Sequence, residues 1–494
     1  MSKNQILEEI LAEVDKHPEI MSRRDAFKYL TMSPMAASIL AGATVGTTAV
    51  SASDVTGKVV IVGGGLAGMS TAARLKSSAS DLEVVVIEPD PISVSYQPGQ
   101  TLVGAGIWEG DEIVYNRDDK VPSDVELIKG TVTSFDPDNN KLTVDGKDEV
   151  TYDQLIIATG LMLNYGAIKG LDGEITSSGK DNAATRAKVG KNGVHSIYFQ
   201  EGAVDTYAGI QELIEKAKKH TGPEKLQAVF THPNTPIKCG GAPKKIMYLT
   251  NARLEEAGVR DKVELTFYPN GGKMFGVPEY HEAILQQYKD RDFKWKYKHN
   301  LTEIDTAAKV ATFNHHWTEK GEWDEDLEEY GVELKNEAVK VKYDFIHVTP
   351  PMKAPDVVAK SKVGSGKGWV PVKKETLQHV KYKNVFCLGD VAAVPMGKTG
   401  GSARKQYKVI VNNVISALEG NQKAIEDTNV KYAGYTVCPL VTSIGTVMLA
   451  EFDWSKKPTP MVPLDPTQER WIWWLLKVYA LKPMTVIGML SGRA

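Results

Sequence analysis

Residues 58–68, Lys-Val-Val-Ile-Val-Gly-Gly-Gly-Leu-Ala-Gly, decide the fold of this chain. Val59–Gly63 is predicted to be a buried strand running into a turn, and a helix is predicted after it. The loop follows the pattern Gly-x-Gly-x-x-Gly. Gly63 permits the tight turn, Gly65 lets a pyrophosphate approach the backbone, and Gly68 lets the helix pack on the strand. The helix N-terminus offers N–H groups and a positive dipole end to phosphates.

A second predicted strand, Glu83–Ile87, ends at Glu88, which lies 88 − 68 = 20 residues after the last glycine of the loop. At this distance a carboxylate holds a ribose hydroxyl of a dinucleotide. The two strands, the loop and the acid together predict a bound dinucleotide. The alternative is a glycine-rich turn without a ligand.

Length and composition narrow the class of protein. The chain has 494 residues, enough for two or three domains with a large core. Charged residues make up 24% and the net charge is −3, so no nucleic-acid footprint is visible. The three cysteines form no Cys-x-x-Cys pair, so neither a covalent c-type haem nor a zinc knuckle is supported, and no metal is expected.

The first 53 residues are predicted to be a targeting segment. Ser22–Lys28, with the pair Arg23-Arg24, resembles a twin-arginine export signal. It is followed by an uncharged run, Tyr29–Ser53, in which Ala49–Ala52 supplies small residues for cleavage. An uncleaved membrane anchor is the alternative, because the run is long enough to span a bilayer. We therefore expect the mature protein in the periplasm, at the outer face of the cytoplasmic membrane.

Two later segments are predicted to return to the first domain. Tyr152–Gly160 is a strand that ends in a small-residue turn and resembles the flavoprotein Ala-Thr-Gly segment. Asn384–Asp390 is a strand with a Gly-Asp pair at its end, which is typical of flavin-domain closure, the aspartate meeting the ribityl chain. Ser95–Gly99 either lies near the cofactor or is a plain turn. Val125–Val144 is predicted to be a hairpin-like β excursion.

A second α/β unit is predicted from about Glu224. Leu226–Thr231 and Val263–Tyr268 are its strands, with a helix Ile246–Ala257 between them. A nucleotide-binding unit would carry a second glycine motif after the first strand. Residues 232–245, His-Pro-Asn-Thr-Pro-Ile-Lys-Cys-Gly-Gly-Ala-Pro-Lys-Lys, supply a cysteine instead, and their prolines remove N–H donors.

Several segments resemble the sulfide:quinone oxidoreductases. Residues 234–248 are similar to the first active-cysteine segment of that family and residues 432–442 to the second. Residues 449–453 and 488–493 also match, and the similarity runs from about Lys58 to the C-terminus. It is strongest to the branch that includes the mitochondrial enzymes, which use two cysteines. Other branches of the family carry a further cysteine, and His195 lies near the corresponding position in this sequence.

The resemblance implies an α/β fold with two Rossmann-like domains, FAD as cofactor, and sulfide and a membrane quinone as reaction partners. The predicted domain limits are a signal segment 1–53, an FAD-binding domain 58–170 with its return 351–430, a second Rossmann-like domain 171–350 with the first active cysteine, and a C-terminal region 431–494 with the second. The candidate flavin-binding residues are Gly63, Gly65, Gly68, Glu88, Gln97, Thr159, Gly160, Gly389, Asp390 and Lys398. A homo-oligomer is left open.

The resemblance also assigns the reacting cysteines. Attack by HS⁻ on a Cys239–Cys438 disulfide leaves one cysteine as a persulfide and the other as a thiolate, which can pass an electron pair to the flavin. The alternative is two buried core thiols. Proline and glycine around both residues favour irregular segments over regular core elements. Cys387 lies in an apolar strand and is interpreted as a core thiol.

Charged and titratable residues flank Cys239. Three lysines could stabilise a thiolate and attract HS⁻, and the family match favours Lys245 as the catalytic one; otherwise they are solvated side chains. These lysines are Lys238, Lys244 and Lys245. The histidines His195, His232 and His347 are candidate proton carriers, but a structural role is favoured for each.

The C-terminal stretch Glu469–Pro483 is dense in aromatic residues, and its apolar core is too short to span a bilayer. An interfacial helix is predicted, with Lys477 and Lys482 reaching the headgroups. The alternative is a helix packed on the protein itself or on a partner. A second short segment, Met484–Leu490, follows the proline.

These features together predict an FAD-dependent sulfide:quinone oxidoreductase docked on a membrane surface. One alternative is the flavin subunit of a flavocytochrome c sulfide dehydrogenase, which passes electrons to a cytochrome. Another is an NADH:quinone oxidoreductase, which the missing second glycine motif argues against. A third, of a different class, is a flavin-binding sulfide sensor without turnover.

Overall fold

A computed structural model describes residues 3–32, 54–90, 92–93, 96–176, 179, 182–324 and 329–493. The chain forms two compact units. The first contains the residues up to Gly99, Ile113–Met162 and the residues from Lys353 onward. The second contains Gln100–Glu112 and Leu163–Met352.

The first unit is built on a parallel sheet whose strands are almost entirely buried. Strand Gly57–Val62 pairs with Leu82–Ile87 on one side and Gln154–Ile157 on the other. Leu82–Ile87 also pairs with Val125–Ile128, and Gln154–Ile157 with Val385–Cys387. Short runs of branched apolar residues form such strands, because both faces of a parallel sheet are covered.

Two long helices, Leu66–Ser78 and Gly400–Leu418, contact this sheet. The second begins at the N-cap Thr399, whose hydroxyl oxygen accepts a hydrogen bond from the Ser402 N–H at 3.2 Å. The buried apolar residues of the helices and the sheet form one core.

Residues 125–144 differ in part from the prediction. Val125–Ile128 is not half of a hairpin but the edge strand of the parallel sheet. The hairpin lies after it: Val132–Asp136, Lys141–Val144 and Asp148–Thr151 form a separate antiparallel sheet. A four-residue run of mainly apolar residues carries no information about its partner strand, so the sequence pattern alone could not separate these two arrangements.

The second unit has its own five-stranded sheet, in the order Val194–His195, Phe345–His347, Leu226–His232, Val263–Pro269, Lys294–Trp295, with parallel pairing throughout. Its main helices are Gln200–Lys219, Ala242–Glu256 and Pro278–Asp290. Two parallel-sheet units confirm the predicted fold class.

The second unit also contains a feature that was not predicted. His299–Asp305, Val310–Asp324 and Glu329–Lys342 form an antiparallel sheet whose last two strands make a long hairpin. Shorter elements complete the two units: Ile92–Ser93, Gln100–Val103, Tyr115–Asn116, Met162–Asn164, Glu174–Thr176, Ala183–Arg186, Met352–Lys353, Asp356–Ala359 and Gln422–Glu426.

The C-terminal region belongs to the first unit. Strands Thr436–Ser443 and Thr446–Phe452 form a hairpin, to which Glu469–Arg470 adds a third strand. A helical tail follows, made of Trp471–Leu475, a π-helical stretch Leu476–Ala480, a short turn Leu481–Pro483, and a second π-helical stretch Met484–Met489.

Two helices near the N-terminus, Lys3–Asp15 and Arg23–Met32, precede the first sheet. Ile10 and Val14 on the first of them are buried, and the His17 ring meets the Trp471 ring edge-on at 5.5 Å. The Arg23-Arg24 pair lies at the start of the second helix, whereas the predicted cleavage residues 49–52 lie outside the described residues. No helix in the described part of the chain is long and apolar enough to cross a bilayer.

Candidate functional site

The glycine loop has the geometry that its pattern predicts. Gly63 has φ +106°, and a Cβ there would lie 2.4 Å from the Ala158 carbonyl oxygen. A Cβ on Gly68 would lie 1.9 Å from the Gly63 carbonyl oxygen, so only glycine allows the helix to approach the strand. A Cβ on Gly65 would meet nothing within 4 Å. Gly63 and Gly68 are therefore required for close packing, whereas Gly65 leaves its backbone uncovered.

Glu88 lies at the carboxyl end of its strand, beside the glycine loop. One carboxylate oxygen accepts the Gly64 N–H at 2.9 Å and the other accepts the Asp90 N–H at 3.0 Å. Arg117 approaches the same carboxylate, its Nη2 lying 3.9 Å from Oε1. Arg117 could not be found from the sequence, because it lies outside every motif.

Thr159 and Gly160 end the strand next to the loop. Thr159 Cα would lie 2.9 Å from a Cβ on Gly63, and Gly160 has φ +67°. The Gly-Asp turn also reaches this edge of the sheet, since a Cβ on Gly389 would lie 3.3 Å from Ala67. These candidate flavin residues therefore cluster around the N-terminus of the helix Leu66–Ser78.

Lys398 and Asp390 are close to each other in the segment before the helix Gly400–Leu418. The Lys398 ammonium donates to the backbone carbonyl oxygens of Asp390 and of Ala392, the latter at 3.3 Å, and lies 4.2 Å from the Trp369 ring centre. Burial lowers the pKa of Lys398, while Asp390 raises it. Gln97 lies in a 3₁₀ turn, Gln97–Gly99, and Ser95 lies outside the described residues.

The residues around the loop fit an FAD molecule. Among the described residues, Arg117 Nη1 and Thr159 Oγ1 are buried polar atoms without a hydrogen-bond partner within the protein. Unsatisfied buried donors are costly, and a polar ligand would satisfy them. These two polar atoms lie in the same part of the structure as the open face of Gly65 and the carboxylate of Glu88. The loop residues would hold the pyrophosphate, and Glu88 a ribose.

Cys239 lies in the turn between the strand Leu226–His232 and the helix Ala242–Glu256. Its backbone is left-handed, with φ +51°, which is unusual for a residue other than glycine. The Cys239 carbonyl oxygen accepts the Ala242 N–H at 2.8 Å, which closes the turn. The cysteine is partly accessible and occupies the place where a nucleotide-binding unit would hold phosphates.

The three lysines near Cys239 are buried rather than solvated, and they differ in what they contact. The Lys245 Nζ lies 3.5 Å from the Cys239 Sγ. The Lys244 Nζ donates to the Gly240 carbonyl at 3.2 Å and lies 5.2 Å from the Phe267 ring centre. The Lys238 Nζ lies 5.9 Å from the Tyr198 ring centre. Lys245 is therefore the one placed against the sulfur.

His195 and His347 are buried and His232 is half-buried, and all three positions disfavour the charged form. Burial lowers the pKa of His195 and of His232 to about 4, and that of His347 to about 3. His195 stacks on Phe345 with ring centres 4.8 Å apart, and His347 Nε2 accepts the Ile197 N–H at 3.2 Å. Protonation is therefore disfavoured near neutral pH, which favours the structural interpretation over proton transfer.

Cys438 does not lie in an irregular segment, and that part of the sequence argument is wrong. It is 4% exposed and lies within the strand Thr436–Ser443, opposite Ala450. Pro439 fits into this strand because the strand is at the edge of its sheet, where a missing N–H costs no ladder bond. Cys438 is in the first unit and Cys239 in the second.

Cys387 is completely buried in the strand Val385–Cys387, and burial raises the pKa of its thiol well above the ordinary range. A thiol that resists ionisation is a poor nucleophile. The structure therefore places it in the core, as the sequence predicts.

The tail differs from the predicted interfacial helix. Trp473, Trp474 and Lys477 are buried in the protein. Lys477 is 1% exposed: its Nζ donates to the Pro98 carbonyl at 2.7 Å and cannot reach lipid headgroups. The exposed large apolar residue of the tail is Ile487, which is 57% exposed. Packing on the protein itself therefore accounts for much of the aromatic content.

The fold, the glycine loop and the unpartnered donors beside it define an FAD-dependent oxidoreductase with two dinucleotide-binding-type units. The family model described as pyridine nucleotide-disulphide oxidoreductase matches residues 57–194. The chain belongs to the sulfide:quinone oxidoreductase family. It is 37% identical over 420 residues to the mitochondrial sulfide:quinone oxidoreductase of Mus musculus, covering 85% of this chain and 83% of that protein.

A second relative agrees with this assignment, and one solved structure shares the fold. The mitochondrial sulfide:quinone oxidoreductase of Dictyostelium discoideum is 37% identical over 439 residues, covering 88% of this chain and 86% of its own. The X-ray structure of the sulfide:quinone oxidoreductase from Aquifex aeolicus has the same fold, with a TM-score of 0.64 at 20% identity, covering 88% of this chain and 91% of that one. The cytochrome-coupled and sensor alternatives gain no support. The first two relatives are mitochondrial, which gives no support to a periplasmic location.

Proposed function

We propose that this chain oxidises sulfide to sulfane sulfur, as persulfide or polysulfide, and passes two electrons through FAD to a membrane quinone. The observation that carries the proposal is the Cys239 turn. A nucleotide-binding unit would bring N–H groups to a phosphate at this position. Here a left-handed turn presents a partly accessible sulfur, with a buried ammonium 3.5 Å away.

The sulfur chemistry needs two cysteines, and we propose Cys239 and Cys438 as the redox pair. HS⁻ attacks one sulfur of their disulfide, so that a new S–S bond forms while the old one breaks, leaving a persulfide and a thiolate. A nucleophilic acceptor then takes the outer sulfur. When the two cysteine sulfurs bond again they release two electrons. The glycine loop and Glu88 would hold the FAD, which would supply the two-electron acceptor between the cysteine pair and quinone.

Lys245 influences these reaction steps through its positive charge. An ammonium that donates to sulfur stabilises the thiolate that each S–S cleavage produces. It is held by the first turns of the helix Ala242–Glu256, so its position is fixed by the packing of that helix. The buried Lys238 and Lys244 add positive potential, which favours the approach of HS⁻ over neutral H₂S.

Anaerobic reduction of the purified flavoprotein by sulfide tests the cysteine pair. Cys239→Ser and Cys438→Ser should each retain FAD and lose sulfide-dependent bleaching. Cys387→Ser is the matched control: it should keep bleaching, with about 1–2 kcal/mol of stability lost by burying a hydroxyl. Normal bleaching in Cys438→Ser, or a folded but inactive Cys387→Ser, would show that the pair is wrongly assigned.

We also propose that the protein works at the periplasmic face of the cytoplasmic membrane, exported by a twin-arginine-type signal. Arg23-Arg24 and the uncharged run Tyr29–Ser53 support this. Export of folded protein suits a cofactor inserted in the cytoplasm. Cell fractionation should find wild type in the periplasmic membrane fraction and Arg23→Lys/Arg24→Lys in the cytoplasm. Equal distribution of the two would reject the export route.

Membrane association is the remaining part of the proposal, because quinone is confined to the bilayer. Ile487 is exposed, and Trp471 is partly covered by His17 from the N-terminal segment. Cleavage of the signal segment would remove Ile10, Val14 and His17 and so uncover that face of the tail. The mature protein should therefore bind membranes more strongly than the uncleaved one.

A further inference from the structure

Four cationic side chains lie on two packed helices of the first unit. Arg404, Lys405 and Lys408 lie on the helix Gly400–Leu418, with Arg404 and Lys408 one turn apart. Arg74 lies on the helix Leu66–Ser78. Arg404 is buried, Lys405 and Arg74 are half-buried, and Lys408 reaches the surface. We call these four residues the basic cluster.

The charges of the basic cluster act on one another. The pKa of Lys408 is lowered to about 8, first by burial and then by the charges of Arg404, Lys405 and Arg74, in that order of strength. The pKa of Lys405 is lowered by burial and then by Arg404. Four cations close enough to repel one another are unfavourable unless an anion compensates them.

The protein supplies little compensation. Within the described ranges, none of the four side chains forms an ion pair with a carboxylate, and Glu451 is the acid that favours the charged form of Lys405. The Glu451 carboxylate accepts the Tyr435 hydroxyl at 2.5 Å and the Met461 N–H at 3.0 Å, and it supplies one negative charge against the four positive ones. The basic cluster therefore keeps an excess of positive charge.

The end of the tail lies against this cluster. Arg404 Nη1 donates to the Met484 Sδ at 3.6 Å, and Arg74 Nη1 donates to the Gly492 carbonyl at 3.3 Å. In the sequence, the exposed Ile487 lies between these two tail residues. The cluster is thus next to a segment that carries an exposed apolar side chain, and cations beside an apolar group suit a phospholipid headgroup and its acyl chain.

We infer that the basic cluster binds the phosphate of an anionic phospholipid, with Lys405 and Lys408 as the accessible contacts and the two arginines beneath them. This inference rests on the membrane association proposed above and specifies its lipid. Arg404 and Arg74 also hold the end of the tail, so lipid binding and tail position are coupled.

Vesicle sedimentation of the FAD-loaded protein tests the inference. Wild type should bind vesicles containing about 30% phosphatidylglycerol more tightly than pure phosphatidylcholine vesicles, and salt should weaken the difference. Lys405→Gln/Lys408→Gln should lose roughly 30-fold in affinity for the anionic vesicles only. Lys383→Gln/Lys423→Gln removes two exposed charges elsewhere in the same unit and is the matched control. Both double variants should keep sulfide-dependent bleaching, which shows that they are folded.

The outcomes separate this inference from the proposed function. Equal binding of wild type to neutral and anionic vesicles would overturn the headgroup site while leaving membrane association intact. No binding to either would overturn both. Equal losses in the two double variants would indicate only general surface charge. Displacement from anionic vesicles by soluble glycerol phosphate at low concentration would assign the site to a soluble phosphate ester instead.

Discussion

Replacement of Lys245 by methionine should make the Cys239 thiolate harder to form. The ammonium lies 3.5 Å from the sulfur, and at an effective dielectric constant of about 20 the attraction is about 5 kcal/mol. Water reaches this partly accessible sulfur and screens the attraction, so we expect the variant to lose about 2–3 kcal/mol of thiolate stabilisation. Since 1.36 kcal/mol corresponds to about one pH unit, the midpoint of thiolate formation should rise by about 1.5–2 units.

The assay is a pH titration of thiolate ultraviolet absorbance in the reduced protein, with Cys239→Ser subtracted, alongside stopped-flow bleaching by sulfide. Lys245→Met should bleach about 30-fold more slowly near pH 7 and recover as pH rises. Lys244→Met is the control, because it removes a neighbouring buried ammonium that donates to the Gly240 carbonyl oxygen. An unchanged midpoint in Lys245→Met, or an equal shift in Lys244→Met, would refute the assignment of Lys245.

Four further predictions follow from the same geometry. Gly65→Val should fold but lose FAD, since a Cβ at this position has no protein atom within 4 Å, whereas Gly68→Ala should be unstable because its Cβ would clash with the backbone. Flavin absorbance and thermal unfolding separate the two outcomes. NADH should not bleach the flavin rapidly, because residues 232–245 lack a phosphate cradle; fast bleaching would indicate an NADH dehydrogenase. Ile487→Glu should weaken vesicle binding while sulfide bleaching stays unchanged, and unchanged binding would mean that this side chain does not meet lipid. The pKa of His347 falls from 6.5 to about 3 on folding, so the unfolded chain takes up a proton that the folded one refuses. The free energy of unfolding should therefore drop by about 2 kcal/mol from this group between pH 7 and pH 5, and urea unfolding of His347→Gln should lack that part of the slope.

The first sheet could be predicted because its signals are local. Val59–Gly63 and Glu83–Ile87 were expected as strands, and the structure has Gly57–Val62 and Leu82–Ile87. Short apolar runs bounded by glycine and followed by a helix specify this arrangement without reference to distant residues.

The positions that sequence reasoning missed depend on contacts between residues far apart in the chain. The buried Lys477 donates a hydrogen bond to a carbonyl oxygen 379 residues away in the sequence. No short stretch of sequence could therefore distinguish it from a lysine that reaches lipid. Arg117 joins Glu88 in the same way. Cys438 was a different case. Gly445, with φ +88°, marks the hairpin turn that follows its strand, but the neighbouring Pro439 favoured an irregular segment.

The central claim is that electrons pass from sulfide through the flavin to quinone. Its most direct test is an anaerobic double-mixing experiment: sulfide bleaches the flavin, and a soluble quinone, NAD⁺ or cytochrome c is then added separately. We predict that one equivalent of quinone restores the oxidised flavin spectrum with formation of one quinol, and that NAD⁺ and cytochrome c restore it far more slowly. Rapid recovery with cytochrome c and none with quinone, or no bleaching by sulfide at all, would contradict the account.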